Sequence, residues 1–515
     1  MVKLLLLFSL ISIEPFEIEQ EITATPELLE TIRRLKENPI NINNARKIEL
    51  MLIPYVDNYL AERIINHRDG HPFEKKEELL LIQGMTPYLF DRIEKFITVK
   101  DTRRIRRPGG FGFLSRLEYK DNESQNKTYN RITIPYKDFL LNGLFEKDYD
   151  EENYFDYYTA SVYIPDKLVI GDYDLDLGMG ILFGKPGFFY RSAGIIPGEK
   201  EFSPHLSTYE ENFFRGIVGK WENLIFFGSY LEKTSWGEEK LLGTSYKFSS
   251  VRLTGALSES QEKEKKALGS FYADKELAGN LFRFEIAGGG NTFKETKKSL
   301  SYSMGIDNGK GLKAIYVNVK DSLPTLRNSP FYKNEESFYL NYTKKISPVL
   351  SAGVFTEFSR KISELTPFDI ITEFHLGWNP VKNIRIKNRI KVQKELTNGR
   401  LDLVHKVKDL SFRSRFEFVT GSEISGFLAY TSFRYSKDFV FEGRLVFYET
   451  ENWESRIYAY EYDLPGKFTI KQLYGSGRRF YVVLGERIFP LKIHLKWGVD
   501  FKETISHEVG IAFSI

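Results

Sequence analysis

The chain has no cysteine among its 515 residues. That excludes disulfides, thiolate nucleophiles, cysteine-bound metals and a lipoprotein anchor. Long apolar runs are also missing: past the N-terminus none approaches the roughly 18 residues a spanning helix needs. Neither sign of charge is in excess, the formal net charge being +3, so no overall field advertises a nucleic-acid partner. Histidine is scarce, and the seven residues (67, 71, 205, 375, 405, 494, 507) show no His-Glu-x-x-His spacing. His67 and His71 would share a helix face only if the helix passed Asp69-Gly70, where it is expected to stop. No Gly-x-Ser-x-Gly elbow is present, and Met179 and Pro186 occupy places where a phosphate loop ending in Gly184-Lys185 needs Gly and Ser or Thr. No catalytic residue, metal or cofactor is expected.

What the chain does have is aromatic residues, 42 Phe and 30 Tyr, at a mean hydropathy of only −0.34. The two facts agree if apolar positions alternate with polar ones. From residue 491 to 499 they do: Leu491, Ile493, Leu495, Trp497 and Val499 alternate with Lys492, His494, Lys496 and Gly498. A period of two is a strand with one apolar and one polar face. Residues 505–515 repeat the division, as the closing hairpin of a membrane β-barrel would. From residue 111 onward strand follows strand, including 350–358, 384–393, 410–419, 455–462 and 468–474, with turns such as Trp378-Asn379-Pro380. The expectation is a mainly β protein, a large antiparallel transmembrane barrel of about 24 strands over residues 111–515. Longer connections near 186–207 and 321–334 would be extracellular loops or a plug.

The polar strand faces are charged. Arg385, Lys387, Arg389 and Lys391 lie on one face, Arg413 and Arg415 on another, and Lys492 and Lys496 extend the theme. Facing a lumen, they would either tune what passes or pack a plug. Residues 169–184 place Asp172, Asp174 and Asp176 on one strand face among glycines. An EF-hand would need Gly where Leu177 stands, so an inward acidic stripe on a glycine-kinked strand is the expectation. This segment, with Phe214-Arg215-Gly216-Ile217, resembles segments of helix-hairpin-helix-plus-barrel proteins of Gram-negative outer membranes.

The first hundred residues differ. Lys3 and the leucine-rich run after it match a secretory signal, taken as residues 1–16. Thr25 and Pro26 cap a helix that Asn38-Pro39 ends. Residues 39–99 then show four short helical runs, two hairpins in succession. Ile42-Asn43-Asn44-Ala45, Glu49-Leu50, Ile53-Pro54, residues 61–68, Pro72-Phe73, Glu78-Leu79, Gly84 and Ile97-Thr98-Val99 make residues 38–100 resemble the tandem helix-hairpin-helix domain of the competence DNA receptor ComEA. The resemblance implies a small all-α module, residues 25–100, whose hairpin loops hold a DNA phosphate on backbone N–H groups. Physically, exposed amides and a helix N-terminus bind the anion. The implied nucleic-acid-binding positions are Tyr55, Val56, Asp57 and Asn58 in the first loop and Gly84, Met85 and Thr86 in the second. Arg63, Arg68, Lys75, Lys76, Arg92 and Lys95 are the nearby cations. The loops depart from the family's Gly-hydrophobic-Gly: the first has no glycine and the second keeps one.

Residues 101–110, basic and ending in Pro108-Gly109-Gly110, read as a linker. Two functions follow: a solute channel or receptor with the module holding DNA, or a non-enzymatic structural or secretion-linked barrel whose module binds a periplasmic protein. In both, the barrel's first partner is outer-membrane lipid, and the module lies in the periplasm.

Overall fold

Strands with one apolar face cannot stay single in water or lipid, and here they close a ring. The computed structural model describes residue 35, most of 39–99 and most of 111–515, the larger stretches left out being 152–156, 185–198, 232–237 and 324–333. A 24-strand antiparallel β-barrel results. Its first strand, Gly112–Lys120, closes on its last, Ile505–Ser514, with Tyr119 opposite Val509 and Ser115 opposite Phe513. Closure pairs the strands' backbone groups with one another, which is what a hydrocarbon surrounding demands. Among the described residues, no helix is long and apolar enough to cross a membrane.

The alternation sorts side chains by face. On Leu410–Gly421, Phe412, Phe416 and Phe418 are exposed outside while Arg413, Arg415 and Glu417 are buried inside. Exposed apolar side chains recur around the wall, at Phe427, Leu445, Phe447, Leu495 and Trp497. An outer surface this apolar needs lipid as its solvent. The end where the barrel begins and finishes carries tight turns, with Asp166, Glu222, Ser249 and Lys408 at positive φ.

Two excursions enter the lumen. At Gly171, φ is +107°, and a Cβ would sit 2.2 Å from the Ala160 carbonyl oxygen. Past that kink Leu168–Asp176 leaves its neighbour and turns inward, pairing with the short strand Glu201–Pro204. The second is the hairpin Ile457–Glu461 and Thr469–Leu473, whose strands pair only with each other, so Val440–Thr450 pairs past them with Ser476–Ile488. Alternation alone places these two segments among the barrel strands. Their apolar side chains (Ile457, Ala459, Leu473) pack instead on the lumen-side Leu428, Tyr430, Val446 and Tyr448. Phe139–Lys147 and Leu168–Asp176 occupy their places in the ring. Trp378-Asn379-Pro380 is likewise no turn: Asp369–Val381 runs through it, with a bulge between Trp378 and Val381 that accommodates the proline.

The helical module has helices Lys47–Met51 and Asn58–Gly70, 3-10 turns Lys76–Leu81 and Glu94–Phe96, and a parallel pair of Ile40–Asn41 with Ile97–Thr98. Its core gathers Ile42, Leu50, Ile53, Ala61, Leu79 and Phe96. The second helix reaches Gly70, beyond the expected stop, and the His71 N–H donates to the His67 carbonyl at 2.8 Å. The two rings approach to 6.3 Å, but no metal-holding cluster exists among the described residues. The expected signal (1–16), the helix over 25–37 apart from residue 35, and the linker up to residue 110 lie outside the described residues.

Candidate functional site: an occupied lumen

The first insert is gripped by charge. Asp172, buried, takes the Arg215 guanidinium at 2.6 Å and the Ala160 N–H at 2.7 Å. Asp174 meets His205 Nδ1 at 2.7 Å, and Asp176 is buried beside them. Asp172 and Asp174 are thus held by separate partners rather than gathered at one site. Farther along, the Met179 and Ile181 N–H groups donate to Glu285 Oε2 at 2.7 and 3.2 Å. Glu285 is a barrel-wall carboxylate with no exposed surface. Glu199 lies between Arg252 Nε (2.6 Å) and Lys247 Nζ (2.5 Å), and Glu201 takes Arg252 Nη2 at 2.8 Å. Burial pushes the Glu199 carboxyl up, yet Arg252 and Lys247 outweigh it and hold it at about 2. Removing one partner of such a buried pair costs roughly 3–5 kcal/mol, because a charge is left without compensation.

The hairpin is held the same way on the opposite wall. Arg479 engages Glu461, Asp500 (2.6 Å) and Glu508 (2.8 Å). Lys496 binds Asp463 at 2.7 Å and Glu508 at 2.8 Å, and Lys467 binds Glu118. Burial raises the Asp463 carboxyl, but Lys467 and Lys496 together bring it below the usual carboxylate range. The Arg116 guanidinium donates to the Pro465 carbonyl at 3.3 Å.

The remaining lumen cations are placed as follows. Arg413 and Arg415 share Asp402, at 2.9 and 2.8 Å. Arg389 donates to Asn398 Oδ1 at 2.8 Å and lies 3.6 Å from Glu417, which Arg400 also holds. Lys391 stands 3.9 Å from Glu373, and Arg385 Nε donates to Asn379 Oδ1 at 3.3 Å. Register puts Lys387 beside Asp402 and Lys492 beside Arg487 on the inner face. Glu285, Glu199, Arg252, Arg479 and Glu508 are not among the residues the sequence pattern singles out. Glu285 carries a legible signal, since Phe282, Phe284 and Ile286 alternate with Arg283 and Glu285.

The module touches both inserts and the wall. Tyr460 of the hairpin packs against the module's core, Lys200 Nζ donates to the Met51 carbonyl at 3.3 Å, and Arg63 pairs with Glu276 at 2.6 Å. Most of its described candidate residues have local roles. Val56 and Met85 are buried, and their N–H groups donate to the Ile53 and Ile82 carbonyls at 3.1 and 3.0 Å. Arg68 donates to the Ile42 carbonyl at 2.9 Å and also to that of Ala45; Lys76 donates to the Glu94 carbonyl at 2.9 Å. Lys95 lies over the Phe96 ring at 5.2 Å, Asn58 opens the second helix, and Lys75 is exposed. Tyr55, Asp57, Gly84, Thr86 and Arg92 lie outside the described residues.

The fold and its charged, filled lumen define an outer-membrane-type β-barrel carrying a helix-hairpin-helix module. Residues 35–98 match the family model described as a helix-hairpin-helix motif. No curated protein matches the chain. Among solved structures, the chain is similar at 8% identity and a TM-score of 0.40 to the P pilus usher (PapC) translocation pore, over 78% of this chain and 98% of that one. An E. coli P pilus tip assembly intermediate containing PapC, PapD, PapK and PapG gives 8% identity and a TM-score of 0.46, over 79% and 60%. Pseudomonas aeruginosa OccK5 (OpdH) gives 9% and 0.23, over 79% and 96%. At these identities and scores, nothing about this chain's activity follows from those proteins.

Proposed function

We propose that the chain is a gated, non-enzymatic conduit of a Gram-negative outer membrane, whose periplasmic helix-hairpin-helix module engages protein rather than DNA. The observation that carries this is the clasping of two inserts across one lumen, with the module in contact with both. A barrel needed only as a scaffold has no use for a lumen filled in this way. The module's chemistry supports a protein contact: Arg63 is committed to Glu276 of the barrel, and Arg68 and Lys76 to the module's own carbonyls. Phosphate binding needs exposed amides and uncommitted cations at the loops. Tyr55-Val56-Asp57 also replaces the glycines and brings a carboxylate into the first loop.

The test is ion conductance in planar bilayers. Full-length protein is compared with a variant in which residues 455–474 are replaced by a short turn. The expected result is a several-fold rise in unit conductance on losing the hairpin, with heat-modifiable gel mobility retained. Equal conductance from the two would sink the reading.

A further inference from the structure

The ring is not bonded equally at every junction. Tyr157–Ile164 and Leu168–Asp176 share four ladder pairs, from Ser161 opposite Gly171 to Ile164 opposite Leu168. Among the described residues, no other two neighbours in the wall share so few. The other edge of Tyr157–Ile164 is paired from Tyr157, opposite Glu146, to Tyr163, opposite Leu140. In the half away from the chain termini, side chains therefore stand in for a strand. Arg215 Nη2 donates to the Tyr158 carbonyl at 3.1 Å, and the Ala160 N–H donates to Asp172 Oδ2 at 2.7 Å. Arg215 also donates to Asp172 Oδ1 at 2.6 Å and to the Tyr158 hydroxyl at 3.4 Å, which completes the bridge.

The bridge lies on the lipid side of the wall. Register sets Asp172 beside Arg215 one row beyond Gly171 and Gly216, on the face of the exposed Ile170 and Ile217. Asp172, expected in an inward stripe, thus shares the outer face. The Arg215 guanidinium covers the Tyr158 ring at 4.7 Å, and Tyr158 is 50% exposed. Charge on a lipid-facing surface is costly and marks a site of function. Ladder bonds would close the wall without it, but each ladder group bared to hydrocarbon is expensive, so a ladder cannot open and close. A single charge pair can.

Behind the bridge the lining is aromatic. The Phe213 ring lies 5.4 Å from the same guanidinium, edge-on to Tyr157 at 6.2 Å and stacked on His205 at 4.9 Å. Phe213 and Tyr157 belong to a buried apolar cluster with Tyr129, Leu144, Leu231 and the hairpin's Leu464. Thr159 Oγ1 and His205 Nε2 are buried beside it with no hydrogen-bond partner among the described residues.

We propose that this junction is a lateral portal, through which a single-chain amphiphile passes between the lumen and the surrounding lipid. The Asp172–Arg215–Tyr158 bridge is its latch. The aromatic cluster takes the acyl chain out of water, and Thr159 and His205 meet the polar head. This inference rests on the conduit reading and gives that conduit its substrate class.

Full-length protein in proteoliposomes provides the test, photolabelled with a dodecanoate that carries a diazirine near the end of its chain. Peptide mapping is expected to find label at Tyr157, Phe213 or Leu231, in addition to outer-face residues. Arg215→Gln raises that label several-fold, and Arg215→Lys, which keeps a charge for Asp172, brings it back toward the native level. Arg478→Gln removes another arginine from the outer face, beside Phe447, and leaves the label unchanged. A lysophospholipid with the same diazirine chain separates the sources: stronger labelling by it assigns the portal to membrane lipids, weaker labelling to free fatty acids. Label confined to the outer face in both native protein and Arg215→Gln, with heat-modifiable mobility kept, overturns the proposal. So does label at the remote lumen residues Tyr339 and Phe355 as strong as at Phe213. In either case a conductance rise on losing residues 455–474 leaves the conduit standing. Equal conductance with and without them sinks the conduit, and the portal with it.

Discussion

At the residue scale, the interior of this barrel depends on charges that are individually costly to bury and tolerable only in company. Glu199 shows the principle. Its carboxyl is shifted from the ordinary 4.5 to about 2 because Arg252 and Lys247 favour its charged form more than burial disfavours it. A depressed carboxyl contributes stability that is complete above its unfolded value and lost as pH falls through its folded one. The grip on the first insert should therefore weaken between about pH 4.5 and about pH 2. Asp463 shifts the same way and adds the hairpin to the effect. Conductance stepped down in pH is expected to rise within that window, and Glu199→Gln to show raised conductance at neutral pH with a smaller acid step. A flat acid profile in the native protein would remove Glu199 as a clasp. How little of this was legible in sequence is clear from Glu199 itself, which sits in no alternating pattern and gains meaning only when Arg252, far along the chain, arrives beside it.

At the element scale, one glycine decides whether Leu168–Asp176 stays in the wall or enters the lumen. Gly171 adopts a backbone that L side chains rarely accept, and its missing Cβ is what allows Ala160 so near. Gly171→Val is expected to reduce the yield of heat-modifiable barrel sharply, since both the left-handed backbone and the 2.2 Å approach forbid a side chain. Gly255→Ala, where a Cβ would meet nothing within 4 Å, serves as the control and should assemble normally. Strand existence was largely readable, because alternation is a local property of the wall. Strand destination was not: Ile457, Ala459 and Leu473 alternate as a lipid-facing strand would, and only the apolar lumen patch of Leu428, Tyr430, Val446 and Tyr448 draws them inside.

At the scale of the whole molecule, the module is a third body closing on the other two. Its contacts to Tyr460, Lys200 and Glu276 tie the hairpin, the first insert and the barrel wall to one small core. A helix-hairpin-helix unit that held DNA would lose affinity steeply with salt, log K falling by about 0.9 per phosphate contact for each unit of log [salt]. Duplex binding by the full-length protein in detergent is expected to be weak and to show no such slope. A steep slope abolished by Lys75→Glu would return the module to nucleic-acid binding.

The sequence by itself pointed to the ring: an aromatic-rich alternation without long apolar runs suits a closed sheet with lipid outside and charge within, although a large soluble β protein shares the alternation. It also pointed to the helical module, whose short periodic runs mark its helices, while the pairing of Ile40–Asn41 with Ile97–Thr98 closes it. Tertiary structure alone decided which strands line the wall, which fill the lumen, and which cations are committed. Those outcomes depend on partners hundreds of residues apart, such as Lys467 and Glu118, and a side chain's neighbours across a barrel leave no trace in its own stretch of chain.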